Sequence, residues 1–402
     1  MAFLRSVSLY KDVIGYIREP DLPKMEQRIP VRVAFLTNFL LPDKTSVMMS
    51  FACLVDRLRV LVSAKTKTEE GGELVWDGLD VVAQKSLRWR HRFRHIYGYS
   101  DETEVQVPLD TISQLWRYKP DVVISGEFGA RTLSTLLYCR LRPKTRHILW
   151  ATLSQRTEAT RSRWRVRLRQ WILRHVDAVF VNGKDGHDYI TSLGFKGPLQ
   201  IVPYVVDATE FEGTTTVPDD GILRVLYAGK LNDRKGIFPF VEALYRWGKE
   251  HPDRKIQLRI AGRGPQKESI AALQCPSNIT TEFLGFLSRP QLIQAYHAAT
   301  LYAFPTLGDE WGLVVNEALS SGLAVLGSVH SQAVVEMLQD GTNGWLFDPS
   351  DPQDMMRGID HACSTDYATL LQMADAARSS VAEWTPQNVA KKIADAILQL
   401  EI

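Results

Sequence analysis

Two carboxylates eight residues apart, Asp309 and Glu317, stand in the stretch Phe304-Pro305-Thr306-Leu307-Gly308-Asp309-Glu310-Trp311-Gly312-Leu313-Val314-Val315-Asn316-Glu317-Ala318-Leu319. An apolar run ends at Pro305, a loop with an early glycine follows, and the pattern predicts a helix from near Gly312 to Ser321, stopped by Gly322. The first-turn N–H groups of such a helix carry partial positive charge and form an anion site, while acids at either end can accept hydrogen bonds from sugar hydroxyls. Upstream, Ala228-Gly229-Lys230-Leu231-Asn232-Asp233-Arg234-Lys235-Gly236 places two cations five apart, one leaving a strand and one entering a helix. Lys230 and Lys235 can thus converge on a diphosphate from two sides. Each residue taken singly has a plainer reading: a salt-bridged helical glutamate, a helix N-cap aspartate, surface lysines.

These groups need a scaffold, and the rest of the sequence supplies one. Short β-rich apolar runs alternate with longer amphipathic ones, the signature of repeated β-α units and parallel sheets covered by helices. The strands expected are Val31–Leu36, Asp121–Ser125, His147–Trp150, Ala178–Val181 and Leu199–Val202, then Leu223–Ala228, Ile256–Ala261, Thr280–Phe283, Leu301–Phe304 and Leu323–Leu326. Between the two sets, Val206–Gly221 includes Thr214-Thr215-Thr216 and Pro218-Asp219-Asp220-Gly221, a polar stretch suited to a hinge that buries little. The fold class expected is α/β, two doubly wound Rossmann-like domains facing across a cleft. Residues 1–205 form the first domain, with 29–205 Rossmann-like and 1–28 a peripheral helical extension, and residues 206–384 form the second. Residues 385–402 form a helix, opening at Pro386, that packs back on the first domain. Ligands in such sheets bind outside the carboxyl ends of the strands, so the cleft is the place for chemistry.

Composition narrows the partners. Charge is balanced overall at +2, but residues 1–205 carry 32 Lys and Arg against 21 Asp and Glu, and residues 206–402 carry 16 against 25, so the halves stand at about +11 and −9. The four cysteines and nine histidines show no metal-ligand spacing, which argues against a zinc site and a disulfide framework. No apolar run is long enough to span a bilayer, and no signal-peptide pattern opens the chain, so a cytoplasmic protein is expected.

The stretch from Phe304 to Leu319 is similar to the E-x7-E motif of retaining glycosyltransferases of the two-Rossmann-domain (GT-B) type, family 4. The segment Ala228–Gly236 resembles that family's G-R-L-x-x-x-K-G loop. Ile260-Ala261-Gly262-Arg263-Gly264-Pro265, Phe283–Ser288, Glu336 with Asp340–Gly344, and Pro203–Asp207 add family-like pieces, so the resemblance covers nearly all of residues 200–400 and is fold-level before that. It implies that Glu317 holds the ribose hydroxyls of a nucleotide-sugar donor. Asp309, with the backbone amides of Trp311, Gly312, Leu313 and Val314, would hold the transferred sugar and phosphates. Lys230 and Lys235 would neutralise the diphosphate, Gly262 and Gly264 would admit the nucleotide, and Arg263 would lie beside the base. No metal or cofactor is implied. UDP-sugars are the expected donors, with GDP-sugars the alternative.

The pattern is broken in places. Asp309 replaces the usual glutamate, setting its carboxylate one methylene, roughly 1.5 Å, further back. Lys230 replaces an arginine, trading a bidentate fork for a point charge. Paired glycines are missing in Thr37–Pro42 and in Gln332-Ala333-Val334-Val335 before Glu336. The histidine some relatives carry in the first domain is absent from Asp121–Arg131, where Glu127 is the polar group available, either catalytic or paired structurally with Arg131.

Two basic, aromatic-rich stretches remain, Lys85–His95 and Arg161–Arg174. In the second, a helix is expected with Trp164, Leu168, Trp171 and Ile172 on one face, fit either to lie on an anionic membrane surface or to pack on its own sheet. The acceptor expected is therefore lipid-linked or polyanionic, met at the inner face of the membrane, with nucleic acid excluded for want of a reading module. The other readings are a nucleotide-sugar-binding protein without transferase activity and a sugar phosphorylase or synthase of the same fold.

Overall fold

The computed structural model describes residues 28–63, 78–96, 99–159, 162–213 and 217–400; the helical extension expected before residue 28 lies outside them. Strands β1 (Ile29–Thr37), β2 (Val55–Val62), β3 (Asp80–Ala83), β6 (Val122–Gly126), β7 (Arg146–Ala151), β8 (Ala178–Val181) and β9 (Leu199–Ile201) form one sheet in the order β3-β2-β1-β6-β7-β8-β9. Between them β4 (Ser86–Arg94) and β5 (Ser100–Pro108) pair only with each other, as an antiparallel hairpin. Strands β10 (Ile222–Ala228), β11 (Lys255–Ala261), β12 (Ile279–Gly285), β13 (Leu301–Phe304), β14 (Ala324–Ser328) and β15 (Gly344–Phe347) form the second sheet, in the order β12-β11-β10-β13-β14-β15. Both large sheets are parallel, and each reverses its winding beside its first strand, at β1/β6 and at β10/β13.

A parallel sheet must be covered on both faces, and the side-chain alternation shows that it is. In β10, Leu223, Val225 and Tyr227 enter one core while Leu226 and Ala228 enter another. In β1, Val31, Val33 and Phe35 face the core that holds Met48 and Phe51, whereas Ala34 and Leu36 face the opposite one. The helix Pro386–Leu398, begun by the Thr385 side chain accepting from the Asn388 N–H, sends Val389, Ala390, Ile393 and Ile397 into the β1 core. The last helix of the chain therefore belongs to the first sheet.

Several expectations are corrected. The first sheet has β2 and β3 beyond the five strands expected, and the second has β15; β14 also begins at Ala324 and runs on to Ser328. The stretch Val206–Gly221 buries more than its polarity suggests. Val206, Phe211 and Val217 are all buried, and Phe211 lies under the Arg289 guanidinium at 4.6 Å. The first basic stretch, Lys85–His95, is largely the β4 strand. In the helix Arg163–Leu173 the apolar face divides, since Ile172 and Leu173 are buried and Leu168 packs beside them, while Trp164 and Trp171 stay exposed. Arg169 turns inward to Glu158 and the Phe128 ring.

His147, on β7, is wholly buried with Nε2 at 2.8 Å from Ser125 Oγ, and burial pushes its pKa down from 6.5 to about 3. A histidine with its folded pKa below its unfolded one stabilises the native state fully above pH 6.5, and that margin is lost progressively as pH falls from 6.5 towards 3. Between about pH 6 and 4 this group alone should cost about 1.4 kcal/mol per pH unit. Urea unfolding at stepped pH should show that slope, and His147→Asn should remove it.

Candidate active site

The loops that leave β10 and β13 build the centre of the site. After β10 a single 3-10 turn, Asp233–Lys235, is capped by the Asn232 side chain, which accepts from the Lys235 N–H at 3.2 Å. Gly236 follows with φ of 63°, and a Cβ there would lie 2.0 Å from the Pro305 carbonyl oxygen. Only glycine lets this turn lie flat against the end of β13. The turn delivers the Lys235 ammonium onto Asp309 Oδ2, with the Phe304 ring 5.3 Å away. Arg234, which sequence reasoning passed over, reaches the same aspartate at 3.5 Å and donates to the Gly308 carbonyl at 3.0 Å. Its signal was available as a second cation in the same tight turn.

Asp309 is 13% exposed at its side chain, and its N–H donates to the His330 carbonyl at 3.0 Å. Burial alone would raise its pKa, but Lys235 and then Arg234 outweigh it and hold the carboxyl below the usual range. The neighbouring Glu310 goes the other way, raised by burial and then by the Asp309 charge. The pKa values of two adjacent acids are thus driven apart, that of Asp309 downward and that of Glu310 upward. Lys230 stands differently from Lys235. It is exposed, and its ammonium has no hydrogen-bond or ion-pair partner among the described residues, while its carbonyl accepts from Tyr227 Oη at 2.8 Å.

The helix after the loop runs Leu313–Ser320 from Gly312, which sits at φ of 108° and supplies no side-chain cap. Leu313 and Val314 are half-buried at its first turn, where N–H groups lack intrahelical acceptors. Trp311 contributes only backbone to this end: its indole is buried and donates to Asn316 Oδ1 at 2.9 Å. Glu317 is buried one turn further on, with Oε1 accepting from Arg289 Nη1 at 2.5 Å and Oε2 from Tyr296 Oη at 2.9 Å. Arg289 also pairs with Glu210 at 3.0 Å.

Gly262 and Gly264 have a reason of their own to be glycine. A Cβ would stand 1.9 Å from the Gly229 carbonyl oxygen at the first, where φ is 138°, and 2.2 Å from that of Leu231 at the second. At both positions the space a side chain would need is filled by the loop after β10. Arg263 is exposed and lies over the Phe286 ring at 5.6 Å.

In the first domain, Glu127 follows β6 with φ of 66°, a left-handed conformation that costs a non-glycine residue roughly 1–2 kcal/mol. Its Oε1 accepts from the Thr152 N–H at 3.3 Å. Burial raises its pKa, opposed by Lys44, the Thr152 hydrogen bonds and Arg131. The pairing with Arg131 offered as its plain structural reading takes a different form, since the guanidinium donates to Asn38 Oδ1 at 2.5 Å and Ser63 Oγ at 2.8 Å. Thr152 Oγ1 lies 2.6 Å from Tyr204 Oη, and the Lys44 ammonium lies 4.9 Å from the Tyr204 ring centre.

Between the domains is a cavity of about 600 Å3, bounded by Arg156, Lys184 and Asp185 on one side and by Asp309, His330 and Glu336 on the other. Gln332, in the run before Glu336 where paired glycines are missing, bridges the walls. Its Oε1 accepts from the Gly186 N–H at 3.1 Å, and its Nε2 donates to the carbonyls of Leu153 at 2.9 Å and Glu310 at 2.7 Å. The Lys184 N–H donates to Glu336 Oε1 at 2.6 Å, Arg156 Nε to the Leu307 carbonyl at 2.7 Å, and Asn182 to the Glu310 carbonyl. From the hairpin, buried Tyr99 comes against Gly308. The structure thus brings Lys235 and the helix N-terminus close to Asp309, which lines the cavity, and buries Glu317 one turn further along the helix between Arg289 and Tyr296.

Among the described residues no cluster of His, Cys, Asp and Glu is arranged to hold a metal ion, and no helix is long and apolar enough to cross a membrane. Over 92% of this chain and 100% of its own, the structure of Anabaena HepE in complex with UDP and glucose matches with a TM-score of 0.66 at 16% identity. Two Rossmann-like domains facing across a bridged cleft define a protein of the GT-B fold. Residues 44–204 match the family described as Glycosyl transferase 4-like domain, and residues 223–365 match Glycosyl transferases group 1. The chain belongs to the GT-B glycosyltransferases of the family 4 type. It is 26% identical over 239 residues to the glycogen synthase of Mycobacterium tuberculosis, covering 58% of this chain and 55% of that one. It is 25% identical over 217 residues to the D-inositol 3-phosphate glycosyltransferase of Corynebacterium kroppenstedtii, covering 49% and 48%. The chain spans about half the length of the curated relatives it matches.

Proposed function

We propose that this protein transfers a sugar from a nucleotide diphosphate sugar to an acceptor hydroxyl, with retention at the anomeric carbon and without a metal. The observation that carries the reading is the Asp309 carboxylate held anionic by Lys235 and Arg234 on the wall of the interdomain cavity, beside a helix N-terminus that no side chain caps. The donor diphosphate lies against that N-terminus and the free Lys230 ammonium, with Lys235 able to exchange Asp309 for phosphate oxygen. Asp309 accepts hydrogen bonds from hydroxyls of the transferred sugar. Glu317 takes the ribose hydroxyls when Arg289 or Tyr296 yields one of its oxygens, and Arg263 with Phe286 offers a surface for the base. As the bond from anomeric carbon to phosphate oxygen breaks, its electron pair stays on the diphosphate, where Lys230, Lys235 and the helix amides stabilise it. The acceptor oxygen bonds from the face the diphosphate leaves, and its proton passes to the departing oxygen. Glu127, held in a costly conformation after the β6 strand of the first domain, orients the reacting groups.

A UDP-sugar is favoured as donor, supported by the HepE complex with UDP and glucose. The acceptor is lipid-linked or polyanionic, at the cytoplasmic face of a membrane, in keeping with the +11 balance of residues 1–205. A melting panel of UDP-, GDP- and ADP-sugars tests the donor. A specific ligand at 100 times its Kd should add about 2.7 kcal/mol of stability, and one nucleobase should stand apart. If no nucleotide sugar moves the melting temperature, the donor site is misassigned. The second reading, binding without transfer, draws on the fact that Asp309 and Glu317 are already fully partnered; melting shifts without diphosphate release would favour it.

A further inference from the structure

Three helices of the first domain, Thr111–Tyr118, Ala130–Leu141 and Arg163–Leu173, lie side by side. Trp116 sets its edge against Tyr138 at 5.9 Å, and Leu136 shares a core with Ile172 and Leu173. Their buried faces are accounted for, but their outer faces are not what a solvated surface requires. On the middle helix Leu133, Leu137 and Leu141 recur every four residues, one stripe on the side away from buried Thr132 and Thr135. Trp116 is exposed on one neighbouring helix, and Trp164 and Trp171 are exposed on the other. These six side chains are between 39% and 62% exposed. None of the three helices contains an aspartate or glutamate, whereas Arg117, Arg140, Arg163, Arg165 and Arg167 are all exposed on them. Arg142 and Arg165 lie over the Trp116 and Trp164 rings at 5.7 and 5.4 Å.

We infer that this three-helix face docks on an anionic lipid bilayer, the leucines and tryptophans entering the interface and the arginines meeting the headgroups. Amphipathic tryptophans and arginines with apolar stems suit that boundary, and the absence of any acid removes the repulsion an anionic surface would otherwise meet. A second copy of the chain is a poor occupant, since a two-fold interface would set the same arginines against one another. Nucleic acid leaves an aliphatic stripe with nothing to contact, because it is bound through phosphate charge and base stacking. The inference deepens the lipid-linked acceptor reading, and its test uses neither donor nor acceptor.

The full chain is sedimented with vesicles of phosphatidylcholine alone and of equal parts phosphatidylcholine and phosphatidylglycerol. Binding is expected to the mixed vesicles only and to weaken with salt. Arg163→Ser with Arg167→Ser should lower partitioning roughly thirtyfold. Leu137→Ser with Leu141→Ser should lower it by about tenfold or more. Both variants should keep the wild-type circular dichroism and the wild-type melting shift with nucleotide sugar, which separates this surface from the donor site. Equal binding to neutral vesicles, or variants that partition like the wild type, would overturn the proposal. So would displacement from vesicles by single-stranded RNA through the same arginines, or a dimer that the leucine variant dissolves while vesicles are ignored.

Discussion

Lys235→Ala is expected to lower kcat roughly 100- to 1,000-fold with a much smaller change in KM for the donor, the size typical of removing one preorganised group that stabilises a developing anion. Lys235 touches Asp309 in the free protein and has the Phe304 ring behind it, so its ammonium is aimed before any donor arrives. Orphaning a buried charge commonly costs 3–5 kcal/mol of stability, but Arg234 remains 3.5 Å from Asp309, so the variant should stay folded with a smaller loss. Steady-state kinetics and urea unfolding on one preparation separate the effects. A double-mutant cycle with Asp309→Ala should show strong coupling between the two residues in stability, since they share one contact. A Lys235→Ala protein with wild-type kcat would place the diphosphate elsewhere.

Glu317→Ala is the second large effect, and it acts differently. Here the buried carboxylate lies between Arg289 and Tyr296, so its removal leaves the guanidinium with Glu210 alone and the phenol with only the Val314 carbonyl at 3.5 Å. A donor left wholly unpaired costs roughly 1–3 kcal/mol, and these two keep part of their bonding, so the loss of stability should fall at or below that range. Donor KM should rise about 100-fold if the ribose is held here, as two hydrogen bonds to a charged group would give. Glu317→Gln keeps the volume and one acceptor, and should restore most of the stability while recovering only part of the donor affinity. If the glutamine variant binds donor as the wild type does, Glu317 is a strut of the fold and the ribose contact belongs to another residue.

Much of the donor side was legible from sequence because its chemistry is local. The strand ending before Pro305, the glycine at 312 and the helix behind it follow from side-chain pattern and turn chemistry within some sixteen residues, and they stand where the pattern set them. Strands β2 and β3 were harder. β2 breaks its apolar pattern early with Asp56, Arg57 and Arg59, leaving only Val60-Leu61-Val62 as an unbroken run, and β3 is four residues long with no buried position. The β4–β5 hairpin reads as a charge cluster because it sits outside both sheets, with Leu87 and Trp89 exposed among arginines. Contacts that cross the cleft were out of reach. Gln332 meets Leu153 and Gly186 over sequence separations of 179 and 146, and no local periodicity encodes such a meeting. What the sequence offered there was only an oddity, the want of paired glycines in Gln332–Val335, and the structure shows Gln332 tying the two walls together.

The glycines at 262 and 264 carry the opposite lesson. Their spacing suggested close approach of the backbone to a nucleotide, and the structure gives the glycines a reason within the protein as well, the close approach of its own β10 loop. A glycine pattern marks close approach of backbone without saying what approaches.

The measurement that bears most directly on the central claim is nucleoside diphosphate release from the best-bound nucleotide sugar, followed in wild type and Asp309→Asn with the anomeric configuration of the sugar product read by proton NMR. The wild type is expected to release diphosphate and give a product with the donor's configuration, and Asp309→Asn to do so roughly 100-fold or more slowly. Binding of the donor with no release, an inverted product, or an Asp309→Asn protein as fast as wild type would contradict the account.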